Sequence, residues 1–259
     1  MKEPGHRTTS LRIGAIIPVR MTSSRLPGKP LREVSGKSAL ARVAGQAARC
    51  NYVERVVIAT TDQPSDEVLA EHARSLGYSV HCGPAEDILR RLDEAARAFG
   101  FEIVVEVDGD DLLCSSGHMD RAVEILQQRD ADLVTFSGLP LGATPTVLRS
   151  AALERAVKER TGRQNSTGFF RFLLESGRFQ VVREPSSDPR DAHPAARLTL
   201  DYPQDLAFFD AVYRELDALG TEWTLSTVVA LLHRRPELLA LNQGLETIYA
   251  EHFRQGLAE

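Results

Sequence analysis

Apolar positions in the first half of the chain come in short runs separated by longer amphipathic stretches. Residues 13–19 (IGAIIPV), 53–60 (VERVVIAT) and 103–107 (IVVEV) are strand-length runs, and 78–81 is a shorter one. Such runs mark strands covered on both faces. Between them, 39–49, 65–76 and 87–99 carry apolar residues at helical spacing, with Ser65 placed as an N-cap and Gly77 as a C-cap of the second. This alternation predicts βαβ units and an α/β fold: a single doubly wound, mostly parallel sheet with helices on both faces. The second half is less regular. Helices are expected at 119–128, 151–160, 168–175, 203–216 and 224–234, strands at 132–137, 179–183 and 197–201, and loops at 138–145 and 184–194. No linker or internal repeat divides the chain, so 1–259 reads as one domain with a flexible N-terminal tail at 1–11.

Composition narrows the partners more than the fold. A net charge of -5 and a pI near 5.9 weigh against general nucleic-acid binding, so any phosphate recognition must be local. Cys50, Cys82 and Cys114 lie far apart without a C-x-x-C pair, which fits a reducing compartment. The polar start and the lack of an 18-residue apolar run lead to the expectation of a soluble, cytoplasmic protein that engages no membrane. The seven histidines show no metal-ligand spacing and read as structural or surface residues.

Charge is concentrated in one place. Where the first apolar run ends, the chain reads Pro18-Val19-Arg20-Met21-Thr22-Ser23-Ser24-Arg25-Leu26-Pro27-Gly28-Lys29. Ligands of open α/β sheets bind outside the carboxyl ends of the strands. Arg20, Arg25 and Lys29 bring three cations there, Ser23 and Ser24 bring hydroxyls, and Gly28 lets backbone approach a ligand, so a polyphosphate is the expected guest. The loop is neither a P-loop nor a dinucleotide fingerprint. Residues 103–107 run into a second charged end, Asp108-Gly109-Asp110-Asp111. Magnesium takes oxygen ligands and commonly uses one or two carboxylates plus substrate phosphates. An acidic turn that merely caps the next helix is the plain alternative.

The R-x-x-S-S-R-L-P-G-K-x-L segment resembles the signature of sugar cytidylyltransferases, the enzymes of CMP-activated octulosonic and sialic-type acids and the spore-coat polysaccharide group. The likeness runs over about 13–216. Gly109-Asp110 matches the G-D-x-P segment with Leu112 in place of the proline, Glu86-Asp87 matches an E-D pair near the nucleotide, and Leu198-Thr199-Leu200-Asp201-Tyr202-Pro203-Gln204-Asp205 matches R-L-T-[VL]-D-x-P-[EQ]-D. The resemblance implies a Rossmann-like nucleotidyltransferase that transfers CMP from CTP to an acidic sugar and releases pyrophosphate. It assigns Pro18, Val19, Arg20, Ser23, Ser24, Arg25, Lys29, Asp87 and Gly109 to the nucleotide. Arg25, Lys29 and Asp110 take the catalytic roles, and Asp110 and Asp201 hold Mg²⁺, with Mn²⁺ as a substitute. Asp205 reads instead as a helix N-terminal charge. Arg163-Gln164-Asn165 stands where the spore-coat group has R-E-H, and with Arg197 is assigned to the acceptor. Thr144 and Thr146 replace two further acids. The acceptor half is thus less negative than the family pattern, and an anionic acceptor is expected. Relatives pair as homodimers, and 131–194 is the candidate acceptor and dimer region.

Two other readings stay open. Asp108-Gly109-Asp110 also fits the D-x-D of glycosyltransferases, beside sugar-1-phosphate nucleotidyltransferases on the same fold. A nucleotide-binding relative without catalysis is the other.

Overall fold

The structure, a computed structural model, describes residues 11–23, 25–160, 168–220, 223–245 and 248, so all but the last residue of the expected tail lies outside it. The opening apolar run forms β1 (Ile13–Pro18), buried along its whole length. Beyond the basic loop come a 3-10 turn at Lys29–Leu31, a small hairpin of β2 (Glu33–Val34) with β3 (Lys37–Ser38), and α1 (Ala39–Ala47). Ser38 caps that helix by accepting the Ala41 N–H. Then follow β4 (Arg55–Thr61), α2 (Glu67–Ser75), β5 (Ser79–Gly83), α3 (Ile88–Phe99) and β6 (Ile103–Glu106). The second half adds α4 (Ser116–Gln128), β7 (Leu133–Ser137), β8 (Thr146–Arg149), α5 (Ser150–Glu159), α6 (Arg171–Glu175) and β9 (Val181–Pro185). Helices α7 (Pro203–Ala218), α8 (Leu225–Arg234) and α9 (Pro236–Leu239) complete the described chain.

Seven strands make one sheet in the order β5-β4-β1-β6-β8-β7-β9. Only β8 runs against the rest: it pairs antiparallel with β6 and β7, while every other pairing in the sheet is parallel. The doubly wound, mostly parallel expectation holds. Ala15 and Ile17 pack into one apolar cluster with residues of α1 and α4, and Ile16 into another with residues of α3 and α5. Each fully buried isoleucine is worth roughly 1.5–3 kcal/mol, which anchors β1 from both sides. A third cluster joins α7 and α8 to Leu112, Leu113, Leu198 and Leu200. Leu112, which stands where the family has proline, is thereby fully buried and accepts the Tyr213 hydroxyl.

Three local expectations need correction. Ser65 lies inside a 3-10 turn at Pro64–Asp66 and does not cap α2. Residues 146–149, left unassigned between the expected 138–145 loop and the expected helix from 151, form β8 inside the sheet. The 197–201 stretch is not a strand either: its ladder contact among the described residues is a single bridge between Arg197 and Leu141. Its extended backbone lies between two loops, with the Leu198 N–H donating to Leu141 O at 2.7 Å and the Leu200 N–H to Asp110 O at 2.9 Å. Gly142 makes the first contact possible, since a Cβ there would fall 2.3 Å from Leu198 O at a φ of +85°. No helix among the described residues is long and apolar enough to cross a membrane.

Candidate active site

The parallel pairing of β1 with β6 brings their two charged ends side by side. The approach is closest at Gly109, where a Cβ would lie 2.8 Å from Pro18 O and 2.9 Å from Val19 Cβ. Only glycine lets the carboxylate loop sit against the start of the basic loop. The bond from Leu200 to Asp110 draws in the third piece, which ends at Asp201. Leu198 and Leu200 turn into the third apolar cluster, so the alternation of an extended chain puts Arg197, Thr199 and Asp201 on the other side.

Four of the expected side chains meet there. Lys29 Nζ donates to Asp110 Oδ2 at 2.7 Å and to Asp201 Oδ1 at 3.3 Å, and Arg25 Nη2 donates to the same Asp201 oxygen at 2.6 Å. Burial works against the Lys29 charge, but Asp110 and Asp201 outweigh it and hold the ammonium above its usual pKa. Burial likewise pushes the Asp201 carboxyl up, and Lys29, Arg25 and Arg197 together bring it below the ordinary range.

Asp201 is held from behind by a network that charge patterning alone did not resolve. Arg197, only 1% exposed, donates from Nη2 to Asp201 Oδ2 at 2.9 Å and from Nε to Asp205 Oδ1 at 3.1 Å. Asp205 accepts the N–H groups of Asp201 and Tyr202, both at 2.9 Å, which bears out its reading as a helix N-terminal charge. Asn242 Nδ2 donates to Asp205 Oδ1 and to Arg197 O. Arg197 was expected at the acceptor, but its guanidinium is enclosed and engaged with these two carboxylates. It positions Asp201.

The cluster carries more negative charge than its own cations balance. Burial, then the neighbouring carboxylates, raise Glu106 and Asp111 well above the ordinary range, and Asp108 is pushed up to about 7 by burial and by Asp110. A buried Glu106 oxygen has no hydrogen-bond partner. An all-oxygen site in which Asp110 and Asp201 already share one ammonium suits a hard divalent cation. Among the described residues no three His, Cys, Asp or Glu side chains form a cage, so such an ion would need phosphate or water for its other ligands.

The remaining expected residues are spread around this centre. The pKa of the buried Arg91 falls to about 10 through burial and then through the charge of Arg20, a repulsion that a bound anion would relieve. Asp66 was missed by sequence. It fixes the start of the loop by accepting the Met21 N–H at 2.8 Å and sits under the Thr61 hydroxyl. Ser23 accepts the Leu26 N–H and shapes the loop. Asp87 caps α3, pairs with Arg160, and lines a cavity of about 250 Å³ with Gln63, Pro84 and Glu86. Thr146 opens β8 opposite Glu106. Ser24, Arg163, Gln164 and Asn165 lie outside the described residues.

Comparison with known proteins bears on this geometry. The chain is 26% identical over 235 residues to the spore coat polysaccharide biosynthesis protein SpsF of Bacillus subtilis, covering 86% of this chain and 94% of that one. It is 36% identical over 123 residues to the 3-deoxy-manno-octulosonate cytidylyltransferase of Geobacter sulfurreducens, which covers 47% of this chain and 48% of that one. The solved structure of a cytidylyltransferase from Leptospira borgpetersenii superposes with a TM-score of 0.78 at 20% identity, over 89% of this chain and 97% of that one, and so shares the fold. The family model described as Cytidylyltransferase matches residues 14–225, which takes in the basic loop, the carboxylate turn and the Asp201 network, and the chain belongs to that family.

Proposed function

We propose that this protein transfers CMP from CTP to an acidic sugar in a reaction dependent on Mg²⁺. The observation that carries the reading is the joining of Arg25, Lys29, Asp110 and Asp201 at the adjacent carboxyl ends of β1 and β6. A hydroxyl oxygen of the acceptor forms a bond to the α-phosphorus, the bond to the β-phosphate oxygen breaks, and the hydroxyl proton is lost to the medium. Arg25 and Lys29 would neutralise the triphosphate and the charge that grows on the leaving pyrophosphate, the main contribution an enzyme makes to such transfers. Asp110 and Asp201 would hold Mg²⁺, which when bound supplies a Lewis acid for the phosphate oxygens. Gly109 keeps the carboxylate turn close enough to the basic loop for both to reach one ligand. The octulosonate relative supports a sugar acid as acceptor.

The test is pyrophosphate release from CTP, ATP, GTP and UTP in the presence of 3-deoxy-manno-octulosonate and other sugar acids. Release is expected with CTP and an acid, lost in EDTA and restored by Mg²⁺ or Mn²⁺. Pyrophosphate release unaffected by chelator would refute the metal assignment, and release from no nucleotide would refute the transfer itself.

A further inference from the structure

The segment at 236–245 lies beyond the family match, which ends at 225, yet one of its side chains reaches the middle of the Asp201 network. Packing brings it there. Pro236 opens α9, and Leu238 enters the same apolar cluster as Leu198 and Leu200. The chain keeps turning after the helix, with the Leu241 N–H donating to Leu238 O and the Asn242 N–H to Leu239 O. Asn242 thus arrives about one turn after the Leu238 anchor, and it is buried.

The partners of the Asn242 amide fix which way it faces. Arg197 O at 3.1 Å and Asp205 Oδ1 at 3.0 Å can only accept, so the nitrogen must point at them and both of its hydrogens are used. The two bonds act on different parts of the network. The bond to Arg197 O ties down the backbone at the head of the 197–201 stretch. The bond to Asp205 Oδ1 steadies the carboxylate that accepts Arg197 Nε and the Asp201 N–H. Arg197 Nη2 then occupies Asp201 Oδ2, which leaves Asp201 Oδ1 turned toward Arg25 and Lys29. Arg197, Asp201, Asp205 and Asn242 are each no more than 2% exposed, so water cannot stand in for a lost bond.

We propose that Asn242 is a positioning residue for the cation site: it fixes the Arg197 and Asp205 pair, and through that pair the direction in which Asp201 presents Oδ1. The C-terminal segment beyond the family match then sets how well the cation is held. The assignment rests on the Mg²⁺-dependent reading above. It is tested on the full chain by following Mn²⁺ binding with electron paramagnetic resonance, in the presence of a CTP analogue whose α,β bridge is methylene and which is not turned over. Asn242→Leu keeps the branched shape without a donor and should weaken Mn²⁺ about tenfold, the usual effect of removing a group that holds a metal ligand in place. Asn242→Ser, a milder change that leaves one donor, should weaken it by more than about twofold. In pyrophosphate-release assays the Mg²⁺ concentration for half-maximal rate should rise in step, with kcat at saturating Mg²⁺ within about threefold of wild type. Leu216→Ala, which loosens α7 within the same apolar cluster, is the control: its urea midpoint should fall while its Mn²⁺ affinity stays within about twofold. Mn²⁺ affinity within about twofold of wild type in the Asn242 variants would overturn the proposal, and if only the serine variant folds the same limit applies to it. Equal weakening in Leu216→Ala would overturn it as well, since the effect would then be general loosening. Wild type that binds no Mn²⁺ beside the analogue refutes the metal reading and the proposal with it, whereas wild-type binding that the variants leave unchanged refutes the proposal alone.

Discussion

Asp205→Asn removes one charge from a place where water cannot replace it. The side chain is fully buried, and its two oxygens accept five hydrogen bonds: Oδ1 from Arg197 Nε and Asn242 Nδ2, Oδ2 from Arg197 Nη2 and the Asp201 and Tyr202 N–H groups. An amide keeps only one of those acceptor atoms. If its nitrogen takes the Oδ1 position two donors lose their partner, and if it takes Oδ2 three do. Each orphaned buried donor costs about 1–3 kcal/mol. Breaking one partner out of a buried ion pair costs about 3–5 kcal/mol, and the two routes agree. With an m-value of about 2 kcal/mol/M the urea midpoint should fall by roughly 1.5–2.5 M. Equilibrium urea unfolding followed by circular dichroism measures this directly. A midpoint within about 0.3 M of wild type, less than a single net hydrogen bond, would show that Asp205 accompanies the network without holding it.

Two further outcomes follow from the same geometry. Lys29→Ala should lower turnover at saturating CTP by on the order of 10²-fold, because it removes a preorganised charge from the transferring phosphates; pyrophosphate release near the wild-type rate would sink the role of the loop. His193 is held below the usual histidine pKa by burial and then by the charge of the stacked His233, so the unfolded chain takes up its proton first. Stability should therefore be lost as pH falls from about 6.5 through the lower folded value, and His193→Gln should flatten that slope in urea titrations between about pH 7 and 5; an unchanged slope would remove His193 from the account.

The elements legible in the sequence were those whose burial is uniform. Strands β1, β4 and β6 are covered on both faces, so their apolar runs stand out from the helices between them. The basic loop and the acidic turn were legible because charge follows abruptly on an apolar run. β8 was not, because Thr146-Val147-Leu148-Arg149 is short and becomes a strand through its partners on both sides, with Leu148 opposite both Val104 and Leu133. The 197–201 segment misled in the opposite sense: its alternation is real, but one face rests on loops and helices. Nor does a sequence show which charges are spent on each other. Arg197 was read as facing a ligand, yet its partners are Asp201 and Asp205, and Asn242 joins them from a segment beyond the family match.

The reversal of β8 sets a distance as well as a topology. Strands leave a sheet edge about 4.8 Å apart, and β8 presents its amino end where its neighbours present their carboxyl ends. The carboxyl ends of β6 and β7 are therefore separated by two strand spacings, roughly 10 Å. A nucleotide over β1 and β6 would then have the loops that follow β7 and β9 across that interval and not against its phosphates. The one reversed strand would thus leave a gap beside the phosphates whose width is set by the sheet before any side chain selects for identity.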